Sequence, residues 1–64
     1  MQSDDNYITE YHYEVKVNGV YYDFFMGYET AVEACEALLL EESRRVELYE
    51  VENKKTFLGG WNGK

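Results

Sequence analysis

GYETAVEACEALLLEESRR, Gly27 to Arg45, is the one stretch of this chain with a helical apolar period. At about 100° per residue, Val32, Cys35, Leu38 and Leu39 fall on one side, with Ala31 beside them. Glu29, Glu33, Glu36 and Leu40 fall in a narrow sector on the other side. Alanines and leucines supply helix propensity. Thr30-Ala31-Val32-Glu33 fits a capping box, in which the hydroxyl and the carboxylate satisfy each other's backbone amide. Arg44 and Arg45 suit the carbonyl end of the helix dipole. The pattern therefore predicts a helix over this stretch that covers a sheet with one face and turns a carboxylate row outward.

The sheet comes from the flanks. Tyr7 to Val17 alternates with period two and is rich in β-formers. Asn18-Gly19 follows, the hairpin dipeptide of a type I′ turn, in which both central residues need positive φ. Val20 to Met26 (VYYDFFM) returns. A two-residue turn sets Val17 against Val20, Val15 against Tyr22, Tyr13 against Phe24 and Tyr11 against Met26, an apolar face for the helix. The reverse face then pairs Lys16 with Tyr21, Glu14 with Asp23 and His12 with Phe25. Glu14 and Asp23 would be like charges directly opposite, normally unfavourable. After the helix, Arg45 to Val51 alternates again, with Val46 and Leu48 expected inward. Thr56-Phe57-Leu58 reads as a short fourth strand after the polar turn 52–55, and Gly59 to Lys64 carries too much glycine for regular structure. Trp61 either packs back on the sheet or anchors a partner.

The expectation is one small acidic α+β domain over residues 1–64, an antiparallel sheet with one helix on one face in ββαββ order, with 1–6 and 59–64 as flexible ends. The uncovered sheet face would expose Tyr21, Phe25, Tyr49 and Phe57. Apolar patches of that kind mark interfaces. Chains this short have a thin core, and a single cysteine leaves no internal disulfide. Self-association through that aromatic face, giving a homodimer, is the expected supplement.

The chain has 13 acidic and 6 basic residues, a net charge of −7. Direct nucleic-acid binding is disfavoured, since phosphates demand lysine and arginine. The inverse is favoured: a basic partner that itself binds nucleic acid. No apolar run reaches the ~20 residues of a membrane span and no signal peptide is visible, which points to the cytoplasm and no membrane partner. Nor does a catalytic pattern emerge. His12 is the only histidine and is placed on the sheet face away from Cys35. Cys35 reads as a small core residue. No zinc cluster, phosphate loop or cofactor motif is present, so the reading is a non-enzyme with no cofactor and no metal.

Carboxylates at i and i+4 on a helix stand about 5–6 Å apart and can approximate a phosphate series. Like charges at that spacing cost helix stability, and Leu40 among them is an apolar knob. Glu29, Glu33, Glu36 and Leu40, helped by Asp23 and Glu14 and by the apolar grip of Tyr21 and Phe25, are thus the candidate partner-binding residues of a DNA mimic. The run GVYYDFFMG, Gly19 to Gly27, also resembles the second strand of the short dimeric phage-encoded uracil-DNA glycosylase inhibitors. Those are small and acidic, with a strand–strand–helix–strand order and a Tyr-Tyr-acidic-aromatic segment ending in glycine. The resemblance implies that Tyr21, Tyr22, Asp23 and Phe24 correspond to that segment. It also implies a phage origin, dimerisation through the sheet, obstruction of the enzyme's DNA-binding cleft and capture of a protruding apolar residue in an aromatic-lined pocket. The helix aromatics of that family have no match here. Other phage anti-defence proteins, anti-CRISPR proteins included, share the size and charge. The alternative is a structural or adaptor module that homodimerises through its aromatic sheet face, with the acid serving solubility.

Overall fold

A computed structural model describes residues 11–41 and 44–63. The elements are β1 (His12–Val17), β2 (Val20–Phe25), α1 (Tyr28–Leu38), β3 (Arg45–Val51) and β4 (Lys55–Asn62). They form one antiparallel sheet in the order β2-β1-β3-β4 with the helix across one face, the expected α+β, ββαββ architecture. The expected start of the first strand at Tyr7, the flexible end 1–6 and Lys64 lie outside the described residues.

The hairpin turn forms as its dipeptide requires, with φ of 55° at Asn18 and 82° at Gly19. Only glycine and a few short polar residues enter that region readily. Asn18 is also bound to the start of β3. Its side-chain oxygen accepts from the Arg45 amide at 2.8 Å, and its own amide donates to the Arg45 carbonyl at 2.8 Å. The turn thus fixes two registers, β1 with β2 and β1 with β3.

Beyond the turn the hairpin departs from the expected register. Val17 faces Val20 and Lys16 faces Tyr21, but Val15 faces Asp23, Glu14 faces Phe24 and Tyr13 faces Phe25. Tyr22 is the extra residue of a β-bulge, and every side chain after it changes face. Phe25, expected on the open face, instead packs half-buried against the core under the helix. Phe24 takes its place on the open face, edge-on to His12 at 5.6 Å. Glu14 and Asp23 are not opposed at all.

Tyr13, Val15, Ala31, Cys35, Leu38, Val46 and Leu48 make the core, with Val17, Phe25, Val32 and Leu39 packed around it. The helical stripe and the inward pair Val46 and Leu48 are as expected. The helix ends are not. Its N-cap is Gly27 with no side-chain cap, so the Thr30–Glu33 capping box does not form; Thr30 lies inside the first turn. The helix stops at Leu38, its last turn tightened by Leu40 and Glu41 amides donating to the Ala37 and Leu38 carbonyls at 3.3 Å. Arg45, expected to close the helix, opens β3. Packed layers stand about 10 Å apart, and the chain must come down that distance before Val46 can be buried.

β4 also runs further than expected, through the glycines to Asn62. Gly59 and Gly60 pair with Leu48 and Glu47. A side chain at Gly59 would sit 2.9 Å from the Trp61 ring, so the indole lies over the glycine. The glycines therefore accommodate covering rings and do not break the strand. A second bulge, at Leu58, separates Leu48–Gly59 from Tyr49–Phe57.

Candidate functional site

Glu29, Glu33 and Glu36 are all exposed on α1. With 1.5 Å of rise per residue they step along the axis by roughly 6 and 4.5 Å. Glu29 in the first turn complements the helix dipole, but no basic residue occupies the last turn. The ion pairs among the described residues lie elsewhere: Arg44–Glu41 at 3.7 Å, Arg45–Glu47 at 3.7 Å and Lys55–Glu14 at 3.0 Å. Among the described residues the helix row is therefore uncompensated. Leu40 is 77% exposed, in the turn just past the helix end.

The row borders two shallow grooves. Tyr28, Glu29, Val32, Glu33 and Glu36 line one of about 260 Å³. Val32, Cys35, Glu36, Leu39 and Trp61 line one of about 180 Å³ between the helix and β4. Both are smaller than the roughly 300–1,000 Å³ of small-molecule sites, so this side of the molecule suits a protein surface. Trp61, 43% exposed on the sheet's helix side, is the apolar neighbour of the acidic row that the sequence left open. The spacing Gly59-Gly60-Trp61 was its only signal, a residue without a side chain two positions before a large ring on the same face.

The other candidates scatter. Asp23 is exposed on the outer strand β2, and its carboxylate accepts from the Phe24 amide at 2.7 Å. Glu14 is buried on the far face of the sheet and paired with Lys55, so it adds nothing to the helix row. Tyr21 is exposed on that far face opposite Lys16, as expected. Phe25 is on the helix side and cannot form part of the open face.

The open face is a lattice of charges and rings. Lys16 and Lys55 hold Tyr49 between them, 5.1 and 5.8 Å from its centroid. Tyr49 meets Phe57 edge-on at 5.5 Å, and its hydroxyl donates to Glu47 at 3.1 Å. Burial first, and then that hydrogen bond to a carboxylate, raise the Tyr49 phenol above its ordinary range, with Lys55 opposing. Across the helix side, Tyr11 donates to Glu50 and shares a hydrogen bond with Tyr13 at 2.7 Å, and Tyr28 stacks edge-on to Tyr13. The Glu50 bond, with the Tyr13 bond next, raises the Tyr11 phenol strongly.

Cys35 is buried in the core. Desolvation, with Glu36 adding to it, raises its thiol, the direction opposite to that of an activated nucleophile. His12 is buried on the opposite face of the sheet. Among the described residues no group of three or more His, Cys, Asp or Glu could hold a metal, and no helix is long and apolar enough to cross a membrane. No protein-family model, curated protein or solved structure matches this chain.

Proposed function

We propose that this chain is a non-catalytic acidic inhibitor of phage type, which binds a bacterial DNA-processing protein in the cytoplasm in place of DNA. The observation that carries this reading is the row Glu29, Glu33, Glu36 on an exposed helix face, uncompensated among the described residues. Such a row costs the helix stability at the i,i+4 pair Glu29–Glu33, and a partner's cations offset that cost on binding. Its axial spacing of about 5 Å per charge is looser than the 3.4 Å of one DNA strand. Charge alone then gives a weak copy of a backbone, and the groove of Val32, Leu39 and Trp61 beside it adds apolar contact. The resemblance of Gly19–Gly27 makes a uracil-DNA glycosylase the first target to try.

The alternative, a structural module that self-associates through an aromatic sheet face, has less support. Phe25 is turned inward, and Lys16, Lys55, Glu14 and Glu47 interleave the rings that remain. The test is capture from bacterial lysate by the protein and by its Glu33→Lys/Glu36→Lys variant, each checked for folding by circular dichroism. A captured DNA-processing protein should be released by moderate salt and bound at least about tenfold more weakly by the variant. Capture that survives charge reversal would exclude mimicry by this helix.

A further inference from the structure

The chain holds two Asn-Gly dipeptides, Asn18-Gly19 and Asn62-Gly63, far apart in sequence. The fold brings both to the start of β3. Asn18 binds Arg45 through its side chain as well as its backbone. Asn62, the last residue of β4, pairs with Arg45 from the other side, and the Gly63 amide donates to the Arg44 carbonyl at 2.6 Å. Arg44 and Arg45 are thus held between the two dipeptides, one at the turn after β1 and one at the end of β4.

An asparagine is chemically labile, and most so before glycine, whose nitrogen has no Cβ beside it. That nitrogen attacks the asparagine Cγ. The N–Cγ bond forms as the Cγ–Nδ2 bond breaks, and Nδ2 leaves as ammonia with the proton that the amide gives up. Water then opens the five-membered imide. Opening at Cγ leaves aspartate. Opening at the main-chain carbonyl routes the chain through the side chain as isoaspartate, a methylene longer. Nothing is oxidised or reduced, and water is the one co-reactant. The other asparagines, Asn6 and Asn53, precede Tyr7 and Lys54, whose side chains shield the attacking nitrogen.

We propose that Asn18 and Asn62 are spontaneous deamidation sites and that the segment Arg44–Arg45 gates both. Each site has one of its two reacting groups tied there. At Asn18 it is the electrophile: Oδ1 accepts from the Arg45 amide at 2.8 Å, and the side chain must leave that bond to reach Gly19. At Asn62 it is the nucleophile: the Gly63 amide cannot give up its proton while donating it to Arg44. Gly63 also lies under the chain that leaves the helix, where a Cβ would collide with the Glu41 carbonyl. Asn18, Gly19 and Asn62 are themselves exposed, so water reaches either imide once it forms. Local opening costs less than global unfolding, and lifting the start of β3 frees both sites together. The products differ in what they spoil. An aspartate at position 18 still offers a carboxylate oxygen to the Arg45 amide. An isoaspartate lengthens the turn that sets β1 against both β2 and β3. Either product adds a negative charge to a chain already at −7.

Peptide mapping by mass spectrometry of the whole chain, incubated at mildly alkaline pH over a urea series, reads both sites at once. In denaturing urea Asn18 and Asn62 should convert while Asn6 and Asn53 lag. In the folded chain both should slow at least about tenfold, a decade for each ~1.4 kcal/mol of opening free energy. Below the unfolding midpoint the two rates should rise on one common slope, shallower than that of global unfolding, because the slope follows the surface exposed. Arg45→Pro removes the amide that holds Asn18, at the first residue of a strand, where proline is tolerated. It should speed Asn18 by about two- to tenfold, the worth of one hydrogen bond, and leave Asn62 unchanged. No conversion in denaturing urea would overturn the sites. Equal rates in the folded and unfolded chain, unequal urea slopes, or a folded Arg45→Pro chain with Asn18 no faster would overturn the gate. Should Arg45→Pro fail to fold, the slopes of the parent chain decide alone.

Discussion

Lys55 and Glu14 show how a single residue's role depends on register. Opposite Asp23, Glu14 would be a repulsive surface charge; opposite Phe24 it is buried, with Lys55 as its counter-ion at 3.0 Å. Removing one partner of a fully buried pair costs about 3–5 kcal/mol, and exposed pairs are worth about 0–1. Lys55 is 43% exposed in its side chain, so Lys55→Ala belongs between these, at a loss of about 1–2 kcal/mol. Urea denaturation measures it. Glu14→Gln in the Lys55→Ala background should recover part of the loss, because the amide leaves no buried charge behind. A loss of less than about 0.5 kcal/mol would mean that water, and not Lys55, neutralises the Glu14 carboxylate.

At the scale of elements, the sequence was legible where one period dominated. The helical stripe, the Asn18-Gly19 turn and the inward pair Val46–Leu48 all follow from spacing, and the structure has them. It was illegible where like residues stand in pairs. Tyr21-Tyr22 and Phe24-Phe25 make both faces of β2 apolar in either register, so alternation cannot reveal a bulge between them; Phe57-Leu58 hides the second bulge in the same way. The helix end was missed because Glu41 to Arg45 have good helix propensity, which the descent to β3 overrides. The bulge makes a sharp prediction. Deleting Tyr22 would leave every other β1–β2 partner in place and remove only an unpaired, half-exposed residue. That deletion should change stability by no more than about 1 kcal/mol. Deleting Glu14 from β1 instead shifts Tyr13 and His12 to the wrong faces against both neighbouring strands, and should lower the thermal midpoint by about 10 °C or more, at the ~4–8 °C per kcal/mol of small domains. Amide exchange across the hairpin distinguishes the two; equal damage from both deletions would place the irregularity elsewhere.

Across the whole molecule, charge is sorted by face. The helix side carries Glu29, Glu33 and Glu36 without counter-ions among the described residues, while on the other side Lys16, Arg45 and Lys55 stand among rings with Glu14 and Glu47 between them, and β4 is free of acid. The acidic row of the candidate site was readable because it needs only helical spacing. Trp61 beside it was not, because its position depends on β3–β4 pairing through glycines. This sorting gives salt two opposite effects. Net charge of −7 makes the folded chain repel itself, so raising ionic strength from about 0.01 to 0.15 M, which shortens the screening length from about 30 to 8 Å, should raise the thermal midpoint by a few degrees. The same screening weakens attraction between the carboxylate row and a basic partner, so the capture proposed here should decline over that range. Glu33→Lys/Glu36→Lys separates the two. It turns Glu29–Glu33 from repulsive to attractive, worth about 0.4–1 kcal/mol on an isolated helix, and brings the net charge nearer zero. The variant should melt higher than the parent, depend less on salt, and bind less. Thermal melts and binding isotherms across one salt series measure all three. A variant that binds less because it is less stable would put the acidic row in the fold's service; one that is more stable and yet binds less would show that the row is retained for a partner at the fold's expense.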